Sequence, residues 1–405
     1  MVGLVEYLLW ADDLGMEPVL AVWAGLYLEN ETVPADQLQP YVQSALDELE
    51  FLMGDASTTW GARREALGYG PWQINYVEIG NEDSLHNGPE TYASYRFEAF
   101  YDAIHAAYPN ITIIASYFDV VDGHPPHDGT YGDIHEYAVP VQMSSQFGFF
   151  DNYTTEYPIL IGEYAVVGHD WPGVSVRVHS TPRVFAPFWY GSVAEAIYLL
   201  GAERNSHKIM GASYAPSFQN LNRWEWVPDL IQYDAYPGHT TYTTSYHMIQ
   251  LLSNTRITEN LPMTITDGEF GPAYFVAGRN DVTGAHIAKF AVYNSSVEVP
   301  FSVSFDGVGA GAIGNLTYMT APFNSSNPIG GSIIDREESI VTANSNGTFS
   351  FELPEYSIAV LEIGANSAGA GCNYGGPGSR HGWQGWNNWN GGKGNHGHGH
   401  RGPGW

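Results

Sequence analysis

The sequence predicts an α/β fold of the (β/α)8 TIM-barrel type, incomplete at about six βα units, followed by a C-terminal β-sandwich domain. Two observations predict it. Between Pro18 and Tyr214, short apolar runs alternate with stretches whose apolar residues recur at helical spacing, as parallel strands covered on both faces require. From Pro262 to Ile363 the texture changes to short β-rich runs punctuated by Gly and Asn. The division this implies is an N-terminally truncated barrel domain over 1–255, a β-sandwich domain over 256–364, and a Gly/Asn/His/Trp-rich tail over 365–405.

The elements follow in order. Leu4, Val5, Leu8, Ala11 and Leu14 mark a helix that Gly15 is suited to end. The run Pro18 to Ala24 reads as a buried strand, and Leu38, Tyr41, Val42, Ala45 and Leu49 rebuild a helical face. Ile74 to Ile79 is the next strand, followed by a helix through Tyr92, Tyr95, Ala99, Ala103 and Ala107 and a strand over Ile111 to Ser116. Three more strands are expected near Asp133 to Tyr137, Pro158 to Gly162 and Ile209 to Tyr214. Ser192-x-x-Glu195 reads as a capping box opening the helix before the last of them, and a final helix runs from about Tyr242 to Leu252. A closed barrel needs eight units, so an N-terminal region is expected upstream of Met1. Beyond Ala365 too few aliphatic residues remain to bury a core, and the tail is expected to be disordered.

Composition narrows the function. With 44 acidic against 15 basic residues the formal charge is -29, which repels a phosphate backbone and argues against nucleic acid as a partner. No run approaches the roughly 20 apolar residues of a membrane span. Asn30, Asn110, Asn152, Asn294, Asn315, Asn324 and Asn346 each head an Asn-x-Ser/Thr triplet, which points to a secreted glycoprotein. The single cysteine, Cys372, permits no intrachain disulfide, and residues 1–15 carry acids and do not read as a signal peptide.

Barrel enzymes place their chemistry at the C-terminal ends of strands. Two glutamates satisfy this: Glu82 in Val77-Glu78-Ile79-Gly80-Asn81-Glu82, and Glu163 in Ile159-Leu160-Ile161-Gly162-Glu163-Tyr164. Cleavage of a glycosidic bond needs one protonated carboxyl to assist the departing oxygen and one ionised carboxylate to attack, and in a retaining enzyme the pair sits about 5 to 5.5 Å apart. Asn81 is placed to bind a sugar hydroxyl beside the acid. Glu78 lies four residues deeper and is assigned a buried structural role.

The segment Tyr76-Val77-Glu78-Ile79-Gly80-Asn81-Glu82-Asp83 resembles the acid/base motif of α-L-arabinofuranosidases of glycoside hydrolase family 51, particularly the fungal branch. Gly162-Glu163-Tyr164-Ala165, Gly201-Ala202-Glu203-Arg204-Asn205 and Ala212-Ser213-Tyr214-Ala215-Pro216 agree with it, and the resemblance extends from about Gly3 to Ile363. It implies Glu82 as general acid/base on the fourth barrel strand, Glu163 as nucleophile on the seventh, and Asn81, His135, Tyr137 and Asn220 as substrate-binding residues. The expected activity is exo-acting, retaining release of terminal arabinofuranosyl groups from arabinoxylan, arabinan and related oligosaccharides. No cofactor or metal is expected. The alternatives are an endo-acting glycanase of the same clan and a non-catalytic carbohydrate-binding remnant. In the tail, His381, His396, His398 and His400 could ligate a metal, and Trp383, Trp386 and Trp389 could stack on sugars.

Overall fold

A computed structural model describes residues 3–28, 30–117, 127–153, 157–170, 182–266 and 268–364. The tail, with its histidines and tryptophans, lies outside the described residues. Helix α1 (Leu4–Leu14) belongs to a unit separate from the body that begins at Pro18. The Oε2 of Glu6 accepts the N–H of Gly3 at 3.0 Å, and Gly15 ends the helix at φ 63°, the left-handed region that glycine enters at low cost.

The chain then builds β1 (Val19–Val22), α2 (Gln39–Met53), α3 (Thr59–Ala66) and β2 (Tyr76–Ile79). Helix α3 escaped the sequence reading; Thr58 caps it, its Oγ1 accepting from the Gly61 amide at 3.1 Å. Next come α4 (Gly88–Thr91), which runs through a π-helical turn at Tyr92–Arg96 into α5 (Phe97–Ala107), then β3 (Thr112–Ala115), β4 (Tyr131–Ala138), α6 (Pro140–Ser145), β5 (Ile159–Val166), α7 (Trp189–Glu203) and β6 (Ile209–Tyr214). The strands β1 to β6 form one six-stranded sheet in sequence order, every neighbouring pair parallel. This is the part-barrel of six βα units that the alternation predicts, with β1 and β6 at its edges among the described residues.

After β6 a small three-stranded sheet, β7 (Phe218–Asn220), β8 (Ile231–Tyr233) and β9 (Thr241–Tyr242), precedes α8 (Thr244–Asn254). The rest is β: β10 (Glu259–Asn260), β11 (Ala273–Arg279), β12 (His286–Val292), β13 (Val299–Ser304), β14 (Ile313–Thr320), β15 (Asp335–Thr342), β16 (Thr348–Leu353) and β17 (Ser357–Ile363). An antiparallel six-stranded sheet in the order β10-β11-β12-β17-β14-β15 faces the β13-β16 pair, and Phe290, Phe301, Phe349, Leu353 and Leu361 fill the space between them. This two-layer packing matches the expected sandwich.

Helix α7 joins the two parts. It is buried on nearly every side, as expected of a helix without a polar face: Tyr198 and Ala194 meet the β5 side, while Trp189, Val193, Ile197 and Leu200 pack with Met248 and Leu251 of α8 and with Val276, Ile358 and Val360 of the sandwich. The indole of Trp189 donates to the Tyr356 carbonyl at 2.6 Å, and the Lys289 ammonium on β12 donates to Glu203 at 2.6 Å. One expectation fails here. Ser192 does not open α7; it lies inside the helix, with its hydroxyl donating to the Phe188 carbonyl at 3.3 Å. Glu195 turns away from the helix start to accept the Val166 amide at 2.8 Å and the Ser245 hydroxyl at 2.5 Å. The capping-box spacing is satisfied by tertiary contacts instead.

Candidate active site

Strand β4 carries the centre of the site. Asp133, His135 and Tyr137 alternate along it and therefore share one face. In the expected register that face would meet Leu160, Gly162 and Tyr164 of β5. The pairing shifts by one residue between Ile134 and His135, so that His135 pairs with Glu163 and Tyr137 with Ala165. Gly162 is the extra residue of a β-bulge, and the bulge turns Glu163 to the face occupied by His135. Glu163 therefore lies within β5, not beyond it: the strand predicted to stop at Gly162 continues to Val166.

Gly162 is required on two counts. Its amide donates to Oδ1 of Asp133 at 2.7 Å, and a Cβ placed on it would lie 2.3 Å from that same oxygen. The close backbone approach is one that only glycine allows.

Glu82 reaches the site from the turn after β2. Gly80 extends the ladder, donating to the Val22 carbonyl at 2.8 Å, and then turns at φ 93°; Glu82 itself sits at φ 50°, unusual for a non-glycine residue. The turn is held from below. Asp83, buried, accepts from the Asn81 amide at 3.1 Å, from the Ser116 hydroxyl at 2.7 Å and from the buried Arg96 guanidinium at 2.5 Å. Arg96 also donates to the carbonyls of Ala24 and Gly88, each at 2.9 Å, and Tyr92 donates to the Ile79 carbonyl at 2.6 Å. The π-helical turn brings both Tyr92 and Arg96 under the loop that presents Glu82.

The two glutamates converge on one imidazole. His135 Nδ1 lies 3.0 Å from Glu82 Oε1 and 3.3 Å from Glu163 Oε2, and its Nε2 lies 2.7 Å from Asp133 Oδ2. The ligand-type atoms of Glu82, His135 and Glu163 all lie within 4.8 Å of one another, so the same three side chains could also hold a metal ion. Burial favours the neutral ring, but the carboxylates of Asp133 and Glu82 outweigh it and raise the His135 pKa to about 10, leaving an imidazolium at neutral pH. Tyr137 donates to Glu163 Oε2 at 2.5 Å; burial first, then the adjoining carboxylate, raises its pKa, so the phenol keeps its proton. Beneath Asp133, burial and then the Asp133 charge raise the pKa of Glu78 to about 9, which makes Glu78 a neutral acid below the pair, in keeping with its assigned buried role.

Of the residues singled out in the sequence, Glu82, Glu163, His135 and Tyr137 meet directly. Asn81 is exposed on the Glu82 turn, next to the site. Asn220 ends β7, and its Oδ1 accepts from the Asn222 amide at 3.0 Å. Three contributors were missed. Asp133 had a signal, its two-residue spacing from His135. Arg183 and Trp226 had none: the guanidinium stacks 3.4 Å above the Trp226 ring and donates to the Val227 carbonyl at 3.1 Å, and Trp226 meets Tyr137 edge to face at 5.7 Å. They form a wall beside the residue that holds Glu163.

The chain is similar to known proteins along most of its length. Residues 1–155 match the α-L-arabinofuranosidase 1 domain, and residues 162–357 match the α-L-arabinofuranosidase C-terminal domain. The chain is 40% identical over 366 residues to α-L-arabinofuranosidase A of Aspergillus niger, covering 89% of this chain and 54% of that protein. It is 32% identical over 409 residues to a probable α-L-arabinofuranosidase A of Emericella nidulans, covering 89% and 69% respectively. The chain thus spans about half the length of the Aspergillus niger relative. Among solved structures, an arabinose-bound GH51 α-L-arabinofuranosidase, MgGH51, superposes with a TM-score of 0.78 at 30% identity over 90% of this chain and 57% of that one. The Thermotoga maritima α-L-arabinofuranosidase in complex with arabinose, at 16% identity and a TM-score of 0.67 over 89% and 78% of the two chains, shares the fold. On the family models, the sequence identity and the superposition together, the chain belongs to the α-L-arabinofuranosidases of glycoside hydrolase family 51.

Proposed function

We propose that this chain carries the catalytic machinery of a retaining, exo-acting α-L-arabinofuranosidase, with Glu163 as nucleophile and Glu82 as general acid/base. The observation that carries the reading is the approach of Glu82 and Glu163 on the single nitrogen His135 Nδ1, their carboxylate oxygens within 4.8 Å. Inverting enzymes need about 6.5–9.5 Å between the two carboxyls to admit a water, whereas a retaining pair stands about 5–5.5 Å apart for direct attack, and the close approach of the facing oxygens supports the second arrangement.

In the first step a Glu163 oxygen bonds to the anomeric carbon as the glycosidic bond breaks, and Glu82 gives its proton to the departing oxygen. In the second, Glu82 takes a proton from water, whose oxygen bonds to the same carbon and releases Glu163, with net retention. Tyr137 orients the nucleophile through its 2.5 Å hydrogen bond, and His135, its Nδ1 3.0 Å from Glu82 and 3.3 Å from Glu163, positions the two carboxyl groups at the mouth of the sheet. Asn81 and Asn220 bind the arabinosyl hydroxyls. The substrates are arabinoxylan, arabinan and their oligosaccharides, and residues 1–255, 256–364 and 365–405 act as catalytic domain, sandwich and tail. Secretion is supported by the exposure of all seven sequon asparagines; no helix among the described residues is long and apolar enough to cross a membrane.

The test is hydrolysis of an aryl α-L-arabinofuranoside by the chain and by its Glu163→Gln and Glu82→Ala variants. Release of nitrophenol that falls at least about 10³-fold in Glu163→Gln, and that azide restores in Glu82→Ala, supports the assignment. Absence of release by the well-folded chain favours a binding remnant.

A further inference from the structure

At the mouth of the sheet, one strand beyond Glu82, Trp23, Leu26, Tyr27, Leu28 and Tyr41 line a concavity of about 430 Å³ that the catalytic account does not use. Its floor is aromatic. The Trp23 ring meets Tyr27 at 4.8 Å and Tyr41 at 4.9 Å, both edge to face, while its indole N–H is committed to the Leu26 carbonyl at 2.8 Å. This bond and the two ring contacts hold the indole plane. Trp23 is nonetheless 40% exposed and Tyr27 41% exposed, and the Tyr27 and Tyr41 hydroxyls sit 3.3 Å apart at the edge of the concavity. An immobilised, accessible aromatic face with hydroxyls at its rim suits a flat ring bearing C–H groups on its faces and hydroxyls around its edge.

The location says which ring. Across the sheet mouth, Glu163 stands on β5, Glu82 follows β2 and Trp23 follows β1, so the three lie in the strand order of the sheet. The loop that carries Trp23 is tied to the loop that carries Glu82: Asn87 donates to the Asn30 carbonyl at 3.1 Å, Arg96 donates to the Ala24 carbonyl at 2.9 Å, and Leu26 lies 3.2 Å from where a Cβ on Gly88 would stand. A general acid protonates the leaving oxygen, so the departing part of the substrate extends past Glu82, away from Glu163, toward this concavity.

We infer that Trp23, Tyr27 and Tyr41 form a subsite for a pyranose unit of the polysaccharide main chain that bears the arabinosyl group. The inference rests on the arabinofuranosidase reading and adds where the rest of the polymer sits. A pyranose with equatorial substituents, as in a β-1,4-linked xylan chain, presents C–H groups to the Trp23 face, and its hydroxyls meet the two phenols.

The experiment measures binding of an arabinose-substituted xylotetraose and of plain xylotetraose to the Glu163→Gln chain by calorimetry, then repeats it with Trp23→Ala and separately with Tyr27→Ser added. Plain xylotetraose is expected to bind, and each addition is expected to weaken both ligands about tenfold, the loss of one good stacking contact. Should Trp23→Ala lose its cooperative melt, Tyr27→Ser supplies the readout. Unchanged affinities in folded variants would overturn the subsite, while nitrophenol release by the parent chain leaves the arabinofuranosidase reading standing. A concentration-dependent dimer abolished by Trp23→Ala would assign the concavity to a second copy and overturn the proposal as well. If the parent chain hydrolyses no aryl arabinofuranoside, the underlying reading fails first and the subsite with it.

Discussion

The Gly162 amide donates to Asp133 Oδ1 at 2.7 Å across a bulge that leaves no room for a side chain. This contact couples two functions of one backbone irregularity: it aims Glu163 toward His135, and it steadies the carboxylate on which His135 rests. Gly162→Ala should therefore lower kcat on an aryl arabinofuranoside by at least about 100-fold, since displacement of a catalytic group by about 1 Å carries a penalty of that size. Kinetics with a parallel thermal melt checks it; an active Gly162→Ala chain would show that the bulge is not what aims the nucleophile.

Asp133 holds the imidazolium. Replacing it by Asn removes a negative charge 2.7 Å from Nε2, so the His135 pKa falls from about 10 toward its ordinary 6.5. The alkaline limb of the kcat/KM profile should move to lower pH in Asp133→Asn. A limb that stays in place would mean that another group sets it.

Glu78 makes a prediction about stability. Its folded pKa of about 9 lies above the 4.5 of an unperturbed glutamate, so above pH 4.5 the unfolded chain releases a proton that the folded chain retains. The stability contributed by the neutral acid is complete below pH 4.5 and is lost as pH rises through about 9. His135, raised from 6.5 to about 10, acts in the same direction over its own higher window. Glu78→Gln keeps a neutral group in place and should flatten the fall, raising Tm at pH 8 by about 2 °C or more while leaving it unchanged near pH 4. Melts across this range check it.

The Asp83–Arg96 pair anchors the Glu82 turn from a buried position. Arg96→Met leaves a carboxylate buried and uncompensated, at a cost of about 3–5 kcal/mol, whereas Arg96→Met with Asp83→Asn should lose less because no charge is left behind. Denaturant midpoints distinguish the two, and equal losses would show that packing, not charge, dominates.

Much of this site was readable in the chain itself, because its signals are local. Parallel strands such as Val19–Val22 and Thr112–Ala115 are almost entirely apolar, Gly15 marks a helix end, and Glu82, His135, Tyr137 and Glu163 sit in or just after strands. What escaped depends on pairing between distant segments. The shift that places Glu163 opposite His135 is a property of β4 and β5 together, so Pro158–Gly162 reads as a complete strand until its neighbour is known. Ser192-x-x-Glu195 has the spacing of a cap, but its partners are Val166 and Ser245, remote in sequence. Arg183 and Trp226 come from loops whose hydrophobic pattern says nothing about where they close.

The central claim is that Glu163 attacks the anomeric carbon and Glu82 serves as acid/base. Its most direct test is mass spectrometry of peptides from the Glu82→Ala chain mixed with an aryl arabinofuranoside that has a highly acidic leaving group. Such a leaving group departs without protonation, whereas release of the sugar from the enzyme still needs the missing base. A pentosyl adduct should accumulate on the peptide containing Glu163. An active parent chain that yields no adduct, or an adduct on a different carboxylate, would contradict the account.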